Sequence, residues 1–114
     1  MESIRSRMPK KLEKKLYMVA EQWKDAEGVY QRFWDRGRMQ PKGLEFVSAW
    51  VDENIERSYR LVQTHDRRLL DKWMAKWRDL VDFDVCPVIT PEEAGEKIAA
   101  RIRKSSSIRS AGPV

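Results

Sequence analysis

The sequence predicts an α+β domain in which a four-stranded antiparallel sheet carries two helices on one face. The apolar residues switch along the chain between a spacing of two, typical of strands, and a spacing of three to four, typical of helices. The resulting order is strand, helix, strand, strand, helix, strand. A chain of 114 residues, 41% of them hydrophobic, has room for one domain with one core.

The first three strands and the first helix follow from local signals. The segment KLYMVAEQW, residues 15–23, alternates as a strand does, and Asp25 and Gly37 are placed to begin and end a helix. Residues 44–52 and 57–65 flank a short polar connection. That pattern predicts an antiparallel hairpin.

The second helix and the last strand complete the domain. Behind the capping residue Asp66, apolar residues recur at three- and four-residue steps and include Trp73 and Trp77, so both tryptophans are predicted to lie in the core. The last strand covers residues 82–90, where Pro87 indicates an edge strand or a bulge. Together these elements predict a ferredoxin-like βαββαβ sandwich over residues 15–90.

The two ends lie outside this unit. Residues 1–14 are predicted to be a basic N-terminal extension, and residues 105–114 a disordered tail. Between the domain and the tail, residues 91–104 are predicted to form an appended helix that begins with a capping box of Thr90 and Glu93.

The net charge of +5 is concentrated at the ends of the chain. Residues 1–15 carry six basic and two acidic side chains and residues 91–114 carry five and three, whereas residues 16–90 carry twelve and thirteen. The segment KGLEFVSAW, residues 42–50, resembles an RNA-recognition signature, but Ala49 stands where an aromatic residue should stack on a base. We therefore expect no nucleic-acid partner.

The composition also restricts compartment and metal chemistry. No apolar run approaches the length of a membrane span, and the N-terminal segment lacks the apolar stretch of a secretory signal, so we expect a cytoplasmic protein without a membrane partner. The single cysteine, Cys86, excludes an internal disulfide and is expected to be a small buried residue. The sequence predicts no metal site and no bound cofactor.

Apolar residues on both faces of the predicted hairpin indicate a homodimer. With an even-numbered connection, one face holds Phe46, Ser48, Trp50, Tyr59 and Leu61, and the other holds Val47, Ala49, Val51, Arg60 and Val62. Two helices cover only one face of a sheet, and each exposed valine forgoes about 1.5 to 3 kcal/mol of burial. A second copy packed by two-fold symmetry would cover the other face. The alternative is a monomer covered by its own N-terminal segment and C-terminal helix.

Three segments together resemble a known family: LYMVAEQWKD, VYQRFWDRGRMQPKGLEFVSAWV and DRRLLDKWMAKWRDLVDFDVCPVITPEEA. They are similar to a bacterial domain-of-unknown-function family of small proteins, assigned to the dimeric α/β-barrel group, over about residues 15–95. The resemblance implies a ferredoxin-like protomer whose sheet joins that of a partner. It implies no activity, because the family is one of unknown function. The wider group includes cofactor-free monooxygenases, isomerases, haem-degrading enzymes and stress-responsive proteins, so the fold does not predict the reaction.

Glu21 and Arg60 are the main candidates for a ligand site, because they interrupt apolar positions of the first and third strands. These strands are neighbours in a ferredoxin-like sheet, so the two side chains are candidate polar anchors in an aromatic cavity with Tyr17, Trp50 or Tyr59 nearby. An ion pair at the dimer interface is the alternative.

His65, the only histidine, follows the third strand. It is a candidate ligand-binding residue and, with Glu21, a weak candidate for a general base. Three functions stay open. The first is a homodimer that binds a small apolar or aromatic ligand or acts as an interaction module. The second is a cofactor-independent enzyme resembling monooxygenases or isomerases, and the third is a haem-binding protein with His65 as axial ligand.

Overall fold

The computed structural model describes the backbone of residues 13–111 and the side chains of residues 13–105. Most of the predicted N-terminal extension, residues 1–12, lies outside the described residues. In the part of the chain that is described, no helix is both long and apolar enough to cross a membrane.

The four strands form a single antiparallel sheet. They are β1 (Lys15–Trp23), β2 (Glu45–Val51), β3 (Arg57–Thr64) and β4 (Val81–Val88), in the order β2-β3-β1-β4. The predicted antiparallel sheet is confirmed, and its order is compatible with the ferredoxin-like arrangement. Pro87 lies on the edge strand β4, as its missing N–H requires.

The first two helices begin at the predicted caps. In α1 (Ala26–Arg36) the Asp25 carboxylate accepts a hydrogen bond from the backbone N–H three residues later, at 3.1 Å. In α2 (Arg67–Ala75) the Asp66 carboxylate accepts from the N–H two residues later, at 3.0 Å. Each cap satisfies a backbone donor that the first helical turn leaves unpaired.

The third helix, α3 (Pro91–Ala111), starts as predicted and ends later. The Thr90 hydroxyl accepts a hydrogen bond from the backbone N–H of Glu93 at 3.1 Å, which is one half of the capping box. The helix continues past the predicted end at Lys104. Most of the segment predicted as a disordered tail is therefore helical, and residues 112–114 lie outside the described residues.

The hydrophobic core lies between one face of the sheet and the helices α1 and α2. Trp73 and Trp77 are buried in it, which confirms their prediction as core residues. The buried apolar members are Tyr17, Val19, Val29, Leu44, Val62, Leu70, Trp73, Met74, Trp77 and Val81.

A bulge in β2 changes the predicted face of one residue. Phe46 pairs with Val62, but the next pair is Ser48 with Leu61, so Val47 is the extra residue. The bulge turns Phe46 toward the helices, whereas the uninterrupted pairing predicted from the sequence put it on the face of Ser48 and Leu61.

The other face of the sheet, called the open face below, has no helix packed over it within the described residues. Its exposed apolar side chains include Trp50, Tyr59 and Met18, which are 70%, 41% and 38% exposed. Cys86 is also exposed here, opposite Met18, so the expectation that it is buried was wrong.

Val62, predicted for an uncovered face, lies fully buried under the helices. The open face comprises Leu16, Met18, Ala20, Gln22, Glu45, Ser48, Trp50, Arg57, Tyr59, Leu61, Gln63, Asp82, Asp84, Cys86 and Val88.

A bidentate ion pair ties α1 to the turn between α2 and β4. The Arg32 guanidinium donates to both carboxylate oxygens of Asp79, at 2.7 and 2.6 Å, and to the carbonyl of Lys76 at 3.0 Å. The hydrogen bonds from Arg32 lower the pKa of Asp79 from 3.8 to about 2. The carboxylate is therefore stabilised in its charged form in the folded state.

This lowered pKa predicts where the Arg32–Asp79 pair contributes to stability. Because the folded pKa lies below the unfolded one, the contribution is present above pH 3.8 and is lost as the pH falls toward about 2. We expect Asp79→Asn to unfold at a lower urea concentration than the unsubstituted protein near neutral pH. This gap between the two urea midpoints should close as the pH falls from 3.8 toward about 2. A gap that is unchanged at pH 2 would contradict this role of the carboxylate.

Candidate functional site

A cavity of about 210 Å³ lies between the covered face of the sheet and the helices α1 and α2. Most of its wall is aromatic or aliphatic, and three charged side chains enter it. The residues that line it are Glu21, Trp23, Val29, Tyr30, Phe33, Arg38, Ala49, Val51, Arg60, Trp73, Trp77, Val81 and Phe83.

The cavity contains an ion pair between neighbouring strands. Arg60 on β3 donates from Nε to Oε2 of Glu21 on β1 at 3.1 Å. The side chains are 15% and 5% exposed, respectively, so water screens the pair little. The pairing of Val19 with Arg60 and of Glu21 with Ser58 puts the two charged side chains on the covered face, diagonally across the strands.

The Glu21 carboxylate is held by a second donor. Its Oε1 accepts a hydrogen bond from the indole Nε1 of Trp23 at 3.0 Å, while Oε2 accepts from Arg60. Trp23 follows Glu21 by two residues on the same strand, so the two side chains share a face. Both oxygens are thus engaged by the protein, which fixes the orientation of the carboxylate.

Arg60 is held between two aromatic rings. Its Cζ lies 4.7 Å from the centre of the Phe46 ring and 5.3 Å from that of Trp73. Within the described residues, the hydrogen bond to Glu21 is the one that the guanidinium donates, so its two Nη groups are available to another acceptor. Cation–π contacts of this kind favour a partly desolvated guanidinium over an ammonium.

Trp73 of α2 and Trp77 of the turn after this helix form an aromatic wall. Trp73 packs edge-on against Phe46 and Phe83, with ring centres 5.1 and 5.5 Å apart. The indole N–H groups of Trp73 and Trp77 both donate to the backbone carbonyl of Arg38, at 2.9 and 3.3 Å. Their polar atoms are therefore satisfied by the loop after α1, and their rings are left to contact a ligand.

The structure brings together two of the five sequence-predicted ligand residues. Glu21 and Arg60 both line the cavity. Trp50 and Tyr59 face the other way, since they pair with each other on the open face. His65 is exposed just after β3 and is not among the lining residues.

Two further residues of the site were not predicted from the sequence. Trp23 could have been found, because alternation places it on the same face as Glu21. Arg38 lies in a loop without periodicity, and its place at the cavity depends on the contact between its backbone carbonyl and the helix α2.

The arrangement is suited to binding. Among the described residues, no group of three or more histidine, cysteine, aspartate or glutamate side chains is placed to hold a metal ion. The hydroxyl of Ser58, buried next to Glu21 in the sheet, has no hydrogen-bond partner within the described part of the chain. Of the polar groups that line the cavity, the Nη groups of Arg60 retain hydrogen-bonding capacity.

A family model for a domain of unknown function, DUF3303, matches residues 15–102. The chain belongs to this family. The match includes all four strands and every residue that lines the cavity, so the site lies within the DUF3303 domain. The predicted resemblance to a family of unknown function is confirmed. A search of curated proteins and a search of solved structures found no match.

Proposed function

We propose that this DUF3303 protein is a cytoplasmic homodimer of the dimeric α/β-barrel type that binds a small apolar or aromatic molecule between its sheet and helices. The observation that carries the proposal is the apolar cavity with the buried Glu21–Arg60 pair inside it. Burying two charges costs desolvation energy, and well-packed apolar residues often give equal or greater stability. A role as polar anchor for a ligand accounts for keeping the pair.

The dimensions of the cavity limit the ligand. Pockets for drug-sized molecules span roughly 300 to 1,000 Å³. The volume here, about 210 Å³, suits a smaller molecule with one ring. Tyr30, Phe33, Trp77 and Phe83 are among the aromatic groups that would contact it.

The open face supports the homodimer. Trp50, Tyr59 and Met18 project from it without an intramolecular cover among the described residues. Polar residues, including Gln22, Arg57 and Asp82, occupy one end of the same face. An apolar patch with a polar edge is typical of a protein interface, and two-fold packing of a sheet on its copy would bury both patches.

The two alternative functions receive less support from the geometry. His65 lies outside the cavity lining, so the cavity has no histidine to serve as base or haem ligand. Glu21 does line the cavity, but Trp23 and Arg60 each occupy one of its oxygens. We therefore favour binding over proton transfer as the role of Glu21.

Titration with benzyl alcohol tests the proposed cavity. Because Trp23, Trp73 and Trp77 line it, we expect saturable changes in tryptophan fluorescence and saturable shifts of the indole N–H signals in NMR spectra. Ala49→Phe places a ring on the cavity side of β2 and is expected to abolish binding. Ala75→Phe adds the same ring at an exposed position on α2 and should leave binding unchanged. Equal binding by both variants, or no binding by the unsubstituted protein at millimolar probe, would contradict the proposal.

A further inference from the structure

We infer that the cavity selects an aromatic molecule that carries a single negative charge, a carboxylate above all, and that Arg60 and Arg38 recognise this charge. The inference rests on the proposed function and adds the chemical class of the ligand. It follows from the charge of the cavity, the unused donors of Arg60 and the aromatic wall beside them.

The charges that line the cavity do not cancel. One carboxylate, Glu21, faces two guanidinium groups, Arg38 and Arg60, which leaves one positive unit. Glu21 and Arg60 form a pair, so Arg38 supplies the excess. Arg38 is exposed and makes no ion pair within the described residues, and its Cζ lies 5.7 Å from the centre of the Phe46 ring. The mouth of the cavity is therefore electropositive.

Arg60 offers the donor geometry that a carboxylate requires. Nε is engaged by Glu21, and the two Nη groups have no acceptor within the described part of the chain. With a side chain only 15% exposed, these donors have limited access to water. Buried donors favour a ligand that brings acceptors, and a guanidinium binds the two oxygens of a carboxylate through paired hydrogen bonds.

The surroundings of Arg60 explain the aromatic part of the ligand. The Phe46 and Trp73 rings hold the guanidinium on two sides, and Trp73 continues the wall to Phe83. A ligand whose carboxylate meets Arg60 would therefore place a ring directly attached to that carboxylate beside the aromatic wall. Offset and edge-on ring contacts are favourable at this spacing.

The experiment compares benzoate with benzamide, which has nearly the same shape and no charge. By isothermal titration calorimetry in a buffer of low ionic strength, we expect benzoate to bind about tenfold more tightly, the factor given by one charge-assisted hydrogen bond. Added salt should reduce the difference between the affinities for benzoate and benzamide, because it screens the charge of the exposed Arg38.

Three variants test which residues cause the preference for benzoate over benzamide. Arg38→Gln removes an exposed charge and keeps the backbone carbonyl that the tryptophans need, so it should reduce the preference for benzoate severalfold. Arg60→Lys keeps the charge beside Glu21 but loses the fork of Nη groups, and should also reduce the preference. Arg36→Gln is the matched control, because Arg36 is exposed, lies two residues before Arg38 and does not line the cavity.

The outcomes separate this inference from the proposed function. Equal affinities for benzoate and benzamide would overturn the inference and leave a neutral-ligand cavity standing. A benzoate preference that Arg36→Gln reduces as much as Arg38→Gln would also overturn it, because the general positive charge of the protein would then be the cause. Failure of both compounds and of benzyl alcohol to bind would overturn the proposed function itself.

Discussion

Replacing Trp50 with glutamate is expected to convert the proposed homodimer into monomers. Trp50 is 70% exposed in the protomer and lies on the open face, so its loss removes contact area from the proposed interface and little from the core. A tryptophan that is a hot spot of an interface contributes about 2 to 4 kcal/mol, and in a two-fold dimer each substitution removes two such side chains. The dimer dissociation constant should rise at least about a hundredfold.

Sedimentation velocity across a micromolar concentration series measures this effect, and circular dichroism reports whether the protomer stays folded. Trp34→Glu is the matched control, because Trp34 is 74% exposed but lies on α1, away from the open face. We expect the control to remain dimeric. A monomeric unsubstituted protein, or dissociation caused by Trp34→Glu and not by Trp50→Glu, would show that the open face is not the interface.

Residues governed by local signals were predicted well from the sequence. The capping carboxylates of Asp25 and Asp66 depend on neighbours two or three residues away, and the structure has them as predicted. The missing N–H of Pro87 predicted an edge strand or a bulge, and β4 is an edge strand. The bounds of β1 agree for the same reason, since alternation extends over the whole segment.

The bulge at Val47 marks the limit of that reasoning. An uninterrupted hairpin register was inferred from the connection alone, and one extra residue in β2 moved Phe46 to the covered face. Phe46 then became part of the wall around Arg60. Alternation assigns the residues of a strand to the correct face only as far as the first bulge. No residue type at this position indicates a bulge.

The candidate site was predicted in part for a related reason. Glu21 and Arg60 were recognisable as charges on otherwise apolar strands, and strand order made them neighbours. Trp50 and Tyr59 were grouped with them as aromatic residues nearby, but they stand on the opposite face. The neighbouring positions of the first and third strands therefore identified the pair, whereas the face of the sheet on which each aromatic residue lies required the observed register.

Breaking the Glu21–Arg60 pair on one side is expected to destabilise the protein strongly. In Arg60→Met the flexible methionine side chain still fills the space between Phe46 and Trp73, but the Glu21 carboxylate is left buried without its counter-charge. Removing one partner of a buried pair costs about 3 to 5 kcal/mol. Urea unfolding at a fixed protein concentration measures the loss, because the stability of a dimer of the proposed kind would depend on concentration.

Two further variants separate the charge from the packing. Adding Glu21→Gln to Arg60→Met removes the buried charge while its amide oxygen still accepts from Trp23, so the double variant should be more stable than Arg60→Met alone. Arg36→Met removes an exposed arginine whose nearest carboxylate, Asp35, lies 3.6 Å away, and should change stability by less than about 1 kcal/mol.

The stability of the double variant relative to that of Arg60→Met decides what the pair does in the fold. If Arg60→Met costs no more than Arg36→Met, the guanidinium is effectively solvated and the cavity is open to water. If the second substitution restores stability, the carboxylate is costly to bury alone, and Arg60 is required to hold it in the cavity. If the double variant is also more stable than the unsubstituted protein, the pair itself is kept at a cost in stability, which is the result expected of a polar anchor for a ligand.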